Sequence, residues 1–286
     1  MKIRQSAGSR IFDAFNYTVM IVIMIVMIYP LWYVFSASIS DNAMVSSGEV
    51  LFLPKQVTLI AYKQLTANPD LWISYWNTIR YTVVHVVFTL ITTSAMAYPL
   101  AKKWLPGRKL ILMMAAFTLL FSGGMIPTFL VVQKLGLLNS IWAIVLPTMI
   151  STWYLFIMRT FFEALPEELE DAATIDGCSS LQVLLRVVMP LSMPVMATIG
   201  LFTAVNQWNA FFDALIYLND RSMYPLQIML RNILVAGSTI QAEGDMNLLQ
   251  TMKYAIIMIA TLPILCVYPF IQKYFVQGTM IGGIKG

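Results

Sequence analysis

The chain has 286 residues, 59% of them hydrophobic and 11% charged, with a net charge of +4 and a mean hydropathy of +0.74. A soluble domain carries about 25% charged residues, so this balance excludes an ordinary soluble enzyme and places the chain among membrane proteins. The basic residues sit at the ends of apolar runs rather than on one clustered face, which argues against nucleic acid as a partner.

A membrane span needs about 20 mostly apolar residues. Six stretches qualify, at about 13–35, 77–100, 109–132, 140–162, 193–215 and 253–275. The first is longer than the apolar core of a signal peptide, and no small-residue cleavage site follows it, so it reads as a retained span. The third is interrupted by "SGGMIP", in which Ser122, Gly123, Gly124 and Pro127 either expose carbonyls to a cavity or kink the helix for packing. The expected fold is an all-α membrane protein of six transmembrane helices, one transmembrane domain over residues 1–286.

Orientation follows from Lys and Arg near the span ends. Alternation puts Lys2, Arg4, Arg10, Lys102, Lys103, Arg108, Lys109, Arg159, Arg186, Lys273 and Lys285 on one side. The other side receives Lys55, Lys63, Arg80, Lys134, Arg221, Arg231 and Lys253. The richer side is the cytoplasmic one. This predicts a multi-pass protein of the cell membrane with both termini inside and two long extracytoplasmic loops, about 36–76 and 216–252.

The loop at about 163–192 departs from that pattern, because it lies on the basic side yet holds Glu163, Glu167, Glu168, Glu170, Asp171 and Asp176. Pro166 suits the first turn of a helix, and the carboxylates after it suit the positive end of the helix dipole. Gly177 fits a helix end with left-handed backbone. A second helical piece follows, with Leu181, Leu184, Leu185 and Val188 on one face and Pro190 as its end. An amphipathic connector lying on lipid would carry Lys and Arg on its polar face. This one carries carboxylates, which favours a protein partner.

Several span residues carry chemistry. Asn206, Asn209 and Asp213 fall at i, i+3 and i+7, with Gln207, Trp208, Phe211 and Phe212 beside them. Amides that bond hydroxyls and rings that stack on sugars suit a saccharide path; hydrogen bonding between helices suits the same residues. His85, the single histidine, is read as a hydrogen-bonding partner of a neighbouring helix rather than a proton relay. Cys178 and Cys266 have no metal or redox spacing and read as free packing residues. No Gly-x4-Gly-Lys-Ser/Thr pattern occurs, so the chain cannot hydrolyse ATP by that route.

Asp171-Ala172-Ala173, three residues, Gly177, nine residues and then Val187-Val188-Met189-Pro190 resembles the EAA loop of binding-protein-dependent ABC importers. Asp171 stands for the usual Glu, Val187 for Ile and Met189 for Leu, each keeping charge sign or apolar character. "FSGGMIPTFLVVQKLGLLNSIWAIVLP", "PLSMPVMATIGLFTAVNQWNAFF" and "FVQGTMIGGIKG" extend the resemblance over nearly the whole chain, toward maltose-type permeases in the oligosaccharide and polysaccharide-fragment branch.

The resemblance implies a type I importer permease that works by alternating access and has no catalytic residues or cofactor of its own. Its implied partners are a second homologous permease, a cytosolic ATPase dimer holding ATP and Mg, an extracytoplasmic solute-binding protein, a saccharide and membrane lipid. It makes the acidic loop a cytoplasmic coupling helix, with Glu170, Asp171, Ala172, Ala173, Asp176 and Gly177 at the ATPase. It places binding-protein docking around Pro225–Gly237, with Pro225, Leu226, Leu230 and Ile233 as contacts, although a loop packed on the bundle also fits there. The glycine-rich tail Gln277–Gly286 is expected near the ATPase or frayed. An importer of a non-sugar solute, a gradient-driven transporter and a membrane anchor are the competing readings.

Overall fold

The computed structural model describes residues 7–239 and 250–267, so Lys2, Arg4, Lys273, Lys285, the tail Gln277–Gly286 and the end of the sixth apolar stretch lie outside the described residues. Among the described residues every regular element is helical. By contacts the chain divides into two compact units, Met1–Pro69 with Leu230–Leu262, and Asp70–Met229 with Pro263–Gly286.

The first unit contains α1 (Ala7–Ser38), α2 (Asn42–Ser46) and α3 (Ile60–Ala67). The apolar window of α1 buries no residue against the protein, as a face meant for lipid or for another chain requires. Packing begins only at its C-terminal end, where Ser36, Ala37 and Ser38 are small enough to let neighbouring backbone approach. Ala37, Val45 and Val50 form a small core with Met44 and Tyr254 at its edge. Thr251 ties in through its amide, which donates to Asn42 Oδ1 at 3.2 Å.

The second unit is organised around α4 (Pro69–Ala101), 33 residues and about 50 Å long. It is followed by α5 (Arg108–Leu120), α6 (Met125–Lys134), α7 (Ile141–Val145) and α8 (Thr152–Glu163). The acidic loop supplies α9 (Glu167–Ile175) and α10 (Ser180–Leu191). Next come α11 (Met193–Asn209) and α12 (Phe212–Tyr217). In chain order α13 (Leu226–Thr239) and α14 (Gln250–Val267) follow, both of which have residues in the sequence ranges of the two units.

Three helices, α1, α4 and α14, are long and apolar enough to cross a membrane unbroken. Two bent pairs add candidates, α5 with α6 at 114° and α10 with α11 at 81°, so the described residues offer up to five spans by length and composition. The first bend lies at the predicted "SGGMIP". Gly124 there has φ +82° and ψ 173°, a region essentially closed to residues with a Cβ.

The stretch 140–162, expected to be one helix, is instead α7 and α8 with a break between them. Pro147 has no N–H with which to continue the α7 ladder. One residue on, the Thr148 amide turns to the Val145 carbonyl, and its hydroxyl donates to the Ile144 carbonyl at 2.9 Å in place of that amide. The stretch 193–215 is also divided: α11 ends at Asn209, and Ala210 is extended with ψ 125°.

The second helix of the acidic loop also differs from expectation. Pro190 lies inside α10 rather than ending it, and the bend comes at Ser192. Just before Pro190 the ladder slips into a π turn over Leu184–Val188, with the Met189 amide donating to the Leu184 carbonyl. That slip changes which residues share a face. Val183, Leu184 and Val188 are buried, while Leu181 and Leu185 are exposed.

Val183, Leu184 and Val188 enter a core with Ala97 and Leu100 of α4, Leu155, Met158 and Phe162 of α8, and Ile199 of α11. The apolar seat of the acidic loop on the bundle is therefore α10.

Candidate functional site

α9 buries no side chain. Asp171, Ala172, Asp176 and Gly177 are exposed, and Ala173 is half-buried against the core that receives α10. Gly177 has φ +84°, so the left-handed turn expected there is present, and a Cβ built on it meets nothing within 4 Å. The Cys178 amide closes the turn onto the Ala173 carbonyl at 3.0 Å. α10 then opens with a capping box in which Ser179 and Gln182 satisfy each other's amides. The result is a short acidic helix, a glycine turn and a capped, buried helix.

Glu170 faces the opposite way from its acidic neighbours. Its side chain is 13% exposed and forms an ion pair with Lys102, the residue that follows the last residue of α4. Tyr98, one turn earlier on α4, donates its hydroxyl to the same Glu170 oxygen at 2.9 Å. The Lys102 ammonium also lies 4.9 Å from the Tyr98 ring centre.

A second cluster adjoins it. Arg108 of α5 and Arg159 of α8 both pair with Glu163 at the end of α8. Both guanidinium Nε atoms also donate to the Leu100 carbonyl, at 2.8 and 3.2 Å. Leu100 is in the last turn of α4, whose carbonyls have no intrahelical donor. The basic residues counted only for orientation thus cap one helix and fasten three others. Tyr98, Lys102, Arg108, Arg159 and Glu163 were not singled out from the sequence. The available signal was the i, i+4 spacing of Tyr98 and Lys102, although α4 ends at Ala101, one residue before Lys102.

The polar residues of the fifth stretch do not form one face. Asn206 and Asn209 are exposed on α11, Asn206 donating to the Tyr154 hydroxyl at 3.3 Å and Asn209 to the Val205 carbonyl at 2.8 Å. Asp213 lies in the first turn of α12, because the helix ends at Asn209 before the spacing can carry it to the same side. Phe211 is exposed at the break, its ring edge-on to Phe212 at 6.3 Å.

Gln207 points into the bundle. It is buried, and its Oε1 accepts from Nδ1 of the equally buried His85 at 2.6 Å. Since a carbonyl oxygen can only accept, Nδ1 carries the imidazole proton. Nε2 faces Thr148 at 3.4 Å, in the break between α7 and α8. His85 is thus a hydrogen-bonding residue joining α4 to α11, and Gln207 is withdrawn from any open path.

The loop entering α13 is fastened to the other end of α4. Asn77 donates to the Ser222 carbonyl and Tyr81 to the Met223 carbonyl, both at 2.8 Å, and the Leu226 amide donates to the Thr78 hydroxyl at 2.8 Å. Asp220 caps the short turn Arg221–Met223, and the Ser222 amide holds its carboxyl below the ordinary range. Pro225 and Leu226, expected at a docking surface, are buried here because the loop needs them to seat on α4. Leu230 and Ile233 are half-buried, and Arg231, Asn232 and Val235 of α13 are exposed. Among the described residues no group of three or more His, Cys, Asp or Glu is arranged to hold a metal.

Residues 2–281 match the family model described as "Binding-protein-dependent transport system inner membrane component". The chain belongs to this family. This inner membrane component is similar to Protein LplC of Bacillus subtilis, at 44% identity over 98% of this chain and 96% of the relative. It is also similar to the polygalacturonan/rhamnogalacturonan transport system permease protein YtcP of the same organism, at 40% identity over 97% of this chain and 99% of the relative. Among solved structures it resembles a chain of a bacterial ABC transporter involved in the import of the acidic polysaccharide alginate. That match has a TM-score of 0.88 and 35% identity, covering 96% of this chain and 100% of that chain. The component is therefore an all-helical, multi-pass transport subunit with a type I permease fold.

Proposed function

We propose that this chain is one of two transmembrane subunits of an importer for an oligosaccharide or polysaccharide fragment, driven by ATP hydrolysed with Mg on a separate pair of cytosolic ATPases. A binding protein delivers the saccharide outside, and the subunit moves it by alternating access without making or breaking a covalent bond. Both termini and the acidic loop are cytoplasmic, as the Lys and Arg distribution supports.

The observation that carries this reading is the acidic helix α9. It exposes Asp171 and Ala172, with Asp176 exposed at its end, while burying no apolar side chain, and it stands on the well-packed α10. A helix presented in this way has its polar face free for another protein. Glu167, Glu168, Asp171 and Asp176 favour a basic groove on that partner.

A saccharide cargo is supported by the named cargoes of YtcP and the alginate importer, and by exposed amides and rings at Asn206, Asn209 and Phe211. Gln207 belongs to the frame of the path rather than its wall. The binding-protein surface is best assigned to the exposed side of α13, Arg231, Asn232 and Val235, with Leu230 and Ile233 at its edge.

The test is a crosslink and a binding screen. After Cys178 and Cys266 are replaced by serine, a cysteine at Ala172 should crosslink to the ATPase co-expressed from the same system. The delivered binding protein should bind oligosaccharides, acidic or neutral, and not amino acids or peptides. Tight amino-acid binding would overturn the cargo, and solute uptake that persists in ATP-free vesicles would overturn the importer.

A further inference from the structure

We propose that Glu170 is a positioning residue that locks the acidic helix α9 to the end of α4, so that a push on α9 moves α4. The inference rests on the reading that α9 meets an ATPase, and it assigns Glu170 a role inside the subunit instead of at that contact.

The first observation is what α9 lacks. It has nine residues, too few for an isolated helix to be stable in water, and it buries no side chain. Leu169 and Ile175 are exposed, and Ala173 supplies only a methyl group to the core. Apolar packing therefore gives α9 little hold on the bundle, whereas α10 is held well.

The second observation is what Glu170 makes. One carboxylate oxygen receives both the Tyr98 hydroxyl and the Lys102 ammonium. The charged side chains are only 13% and 19% exposed, so salt screens them less than a surface pair. Two charge-assisted contacts, one from Tyr98 in the last turn of α4 and one from Lys102 just past its end, define direction as well as distance. Among the other carboxylates of α9, Glu167, Glu168 and Asp171 face solvent.

The third observation is where α4 leads. Its far end holds the loop entering α13 through Asn77, Thr78 and Tyr81, and its middle holds α11 through His85. One continuous helix thus connects the acidic loop, the break of the fifth stretch and the loop on the opposite side. The Glu170 contacts are the link between α9 and that strut.

The experiment uses the full assembly in liposomes and compares wild type with Glu170→Gln, Tyr98→Phe and the charge-exchanged pair Glu170→Lys with Lys102→Glu. Two readouts are taken: hydrogen exchange of the α9 amides in this subunit, and ATP hydrolysed per solute imported. Glu170→Gln should speed α9 exchange about tenfold and raise the ATP-to-solute ratio at least threefold. Tyr98→Phe, which keeps the ring, should give a smaller change of the same sign. The exchanged pair should return both readouts to within twofold of wild type.

Unchanged α9 exchange in Glu170→Gln would overturn the lock. Faster exchange with an unchanged ratio would overturn its role in coupling. Loss of the Ala172 crosslink in Glu170→Gln, with α9 exchange unchanged and no rescue by the pair, would show Glu170 at the ATPase and overturn the inference. Failure of the wild-type chain to crosslink would instead overturn the ATPase reading on which it rests.

Discussion

Breaking the His85–Gln207 bond tests how the bundle is held around the break in the fifth stretch. The two side chains are 7% and 9% exposed and 2.6 Å apart, so removing either leaves the other buried without its partner. Such an orphan costs about 1–3 kcal/mol. Side-chain hydrogen bonds between membrane helices have coupling energies averaging about 0.6 kcal/mol and reaching about 1.7. His85→Phe and Gln207→Leu should each destabilise by about 1–3 kcal/mol, and the double variant by less than the sum, by about 0.6–1.7 kcal/mol.

At about 2–4 °C per kcal/mol for a domain of this size, each single variant should lower the unfolding midpoint by about 2–12 °C. His85→Asn, which keeps a donor near Nδ1, should lose less than His85→Phe. The assay is thermal unfolding of the purified chain in detergent, followed by tryptophan fluorescence. Strict additivity of the two single changes, within about 0.3 kcal/mol, would mean that the pair does not act as a unit, and the reasoning would fail.

Two further outcomes follow from the acidic loop. Gly177→Ala meets no neighbour, so its loss should be only the left-handed backbone penalty of about 1–2 kcal/mol, read as faster hydrogen exchange at the Gly177–Ser179 turn; an unchanged turn would show that the backbone there relaxes. Leu184→Ala, at 6% exposure on α10, should cost about 2–5 kcal/mol, whereas Leu181→Ala, at 65% exposure on the same helix, should stay within about 0.5. Equal losses in the two variants by thermal unfolding would refute the assignment of faces on α10.

Much of the acidic loop was legible in the sequence because its signals are local. Carboxylates after a proline mark a helix start, and the glycine that follows them marks the turn, whatever the chain packs against. The face of α10 was legible only in part. An ideal 3.6-residue repeat groups Leu181, Leu184, Leu185 and Val188; Leu184 and Val188 are buried, but in the helix whose ladder slips into a π turn ahead of Pro190, Val183 is buried and Leu181 and Leu185 are exposed. The breaks at Pro147 and Ala210 were missed for a related reason. Hydropathy averaged over 20 residues does not register a turn in which every residue is still mostly apolar.

Sequence alone determined that this chain lives in a membrane, that its regular structure is helical, and that one loop carries an acidic helix ended by a glycine turn. Those follow from composition, from the length of apolar runs and from local capping chemistry. Only the tertiary structure decided which carboxylate of the loop faces outward and which faces inward. Glu170 and Asp171 are adjacent and chemically alike, but about 100° apart on the helix. That rotation brings one to Tyr98 and Lys102, more than 60 positions away in the chain, and leaves the other in solvent. The partner of a charge depends on which distant helix end comes beside it, and no local signal encodes that.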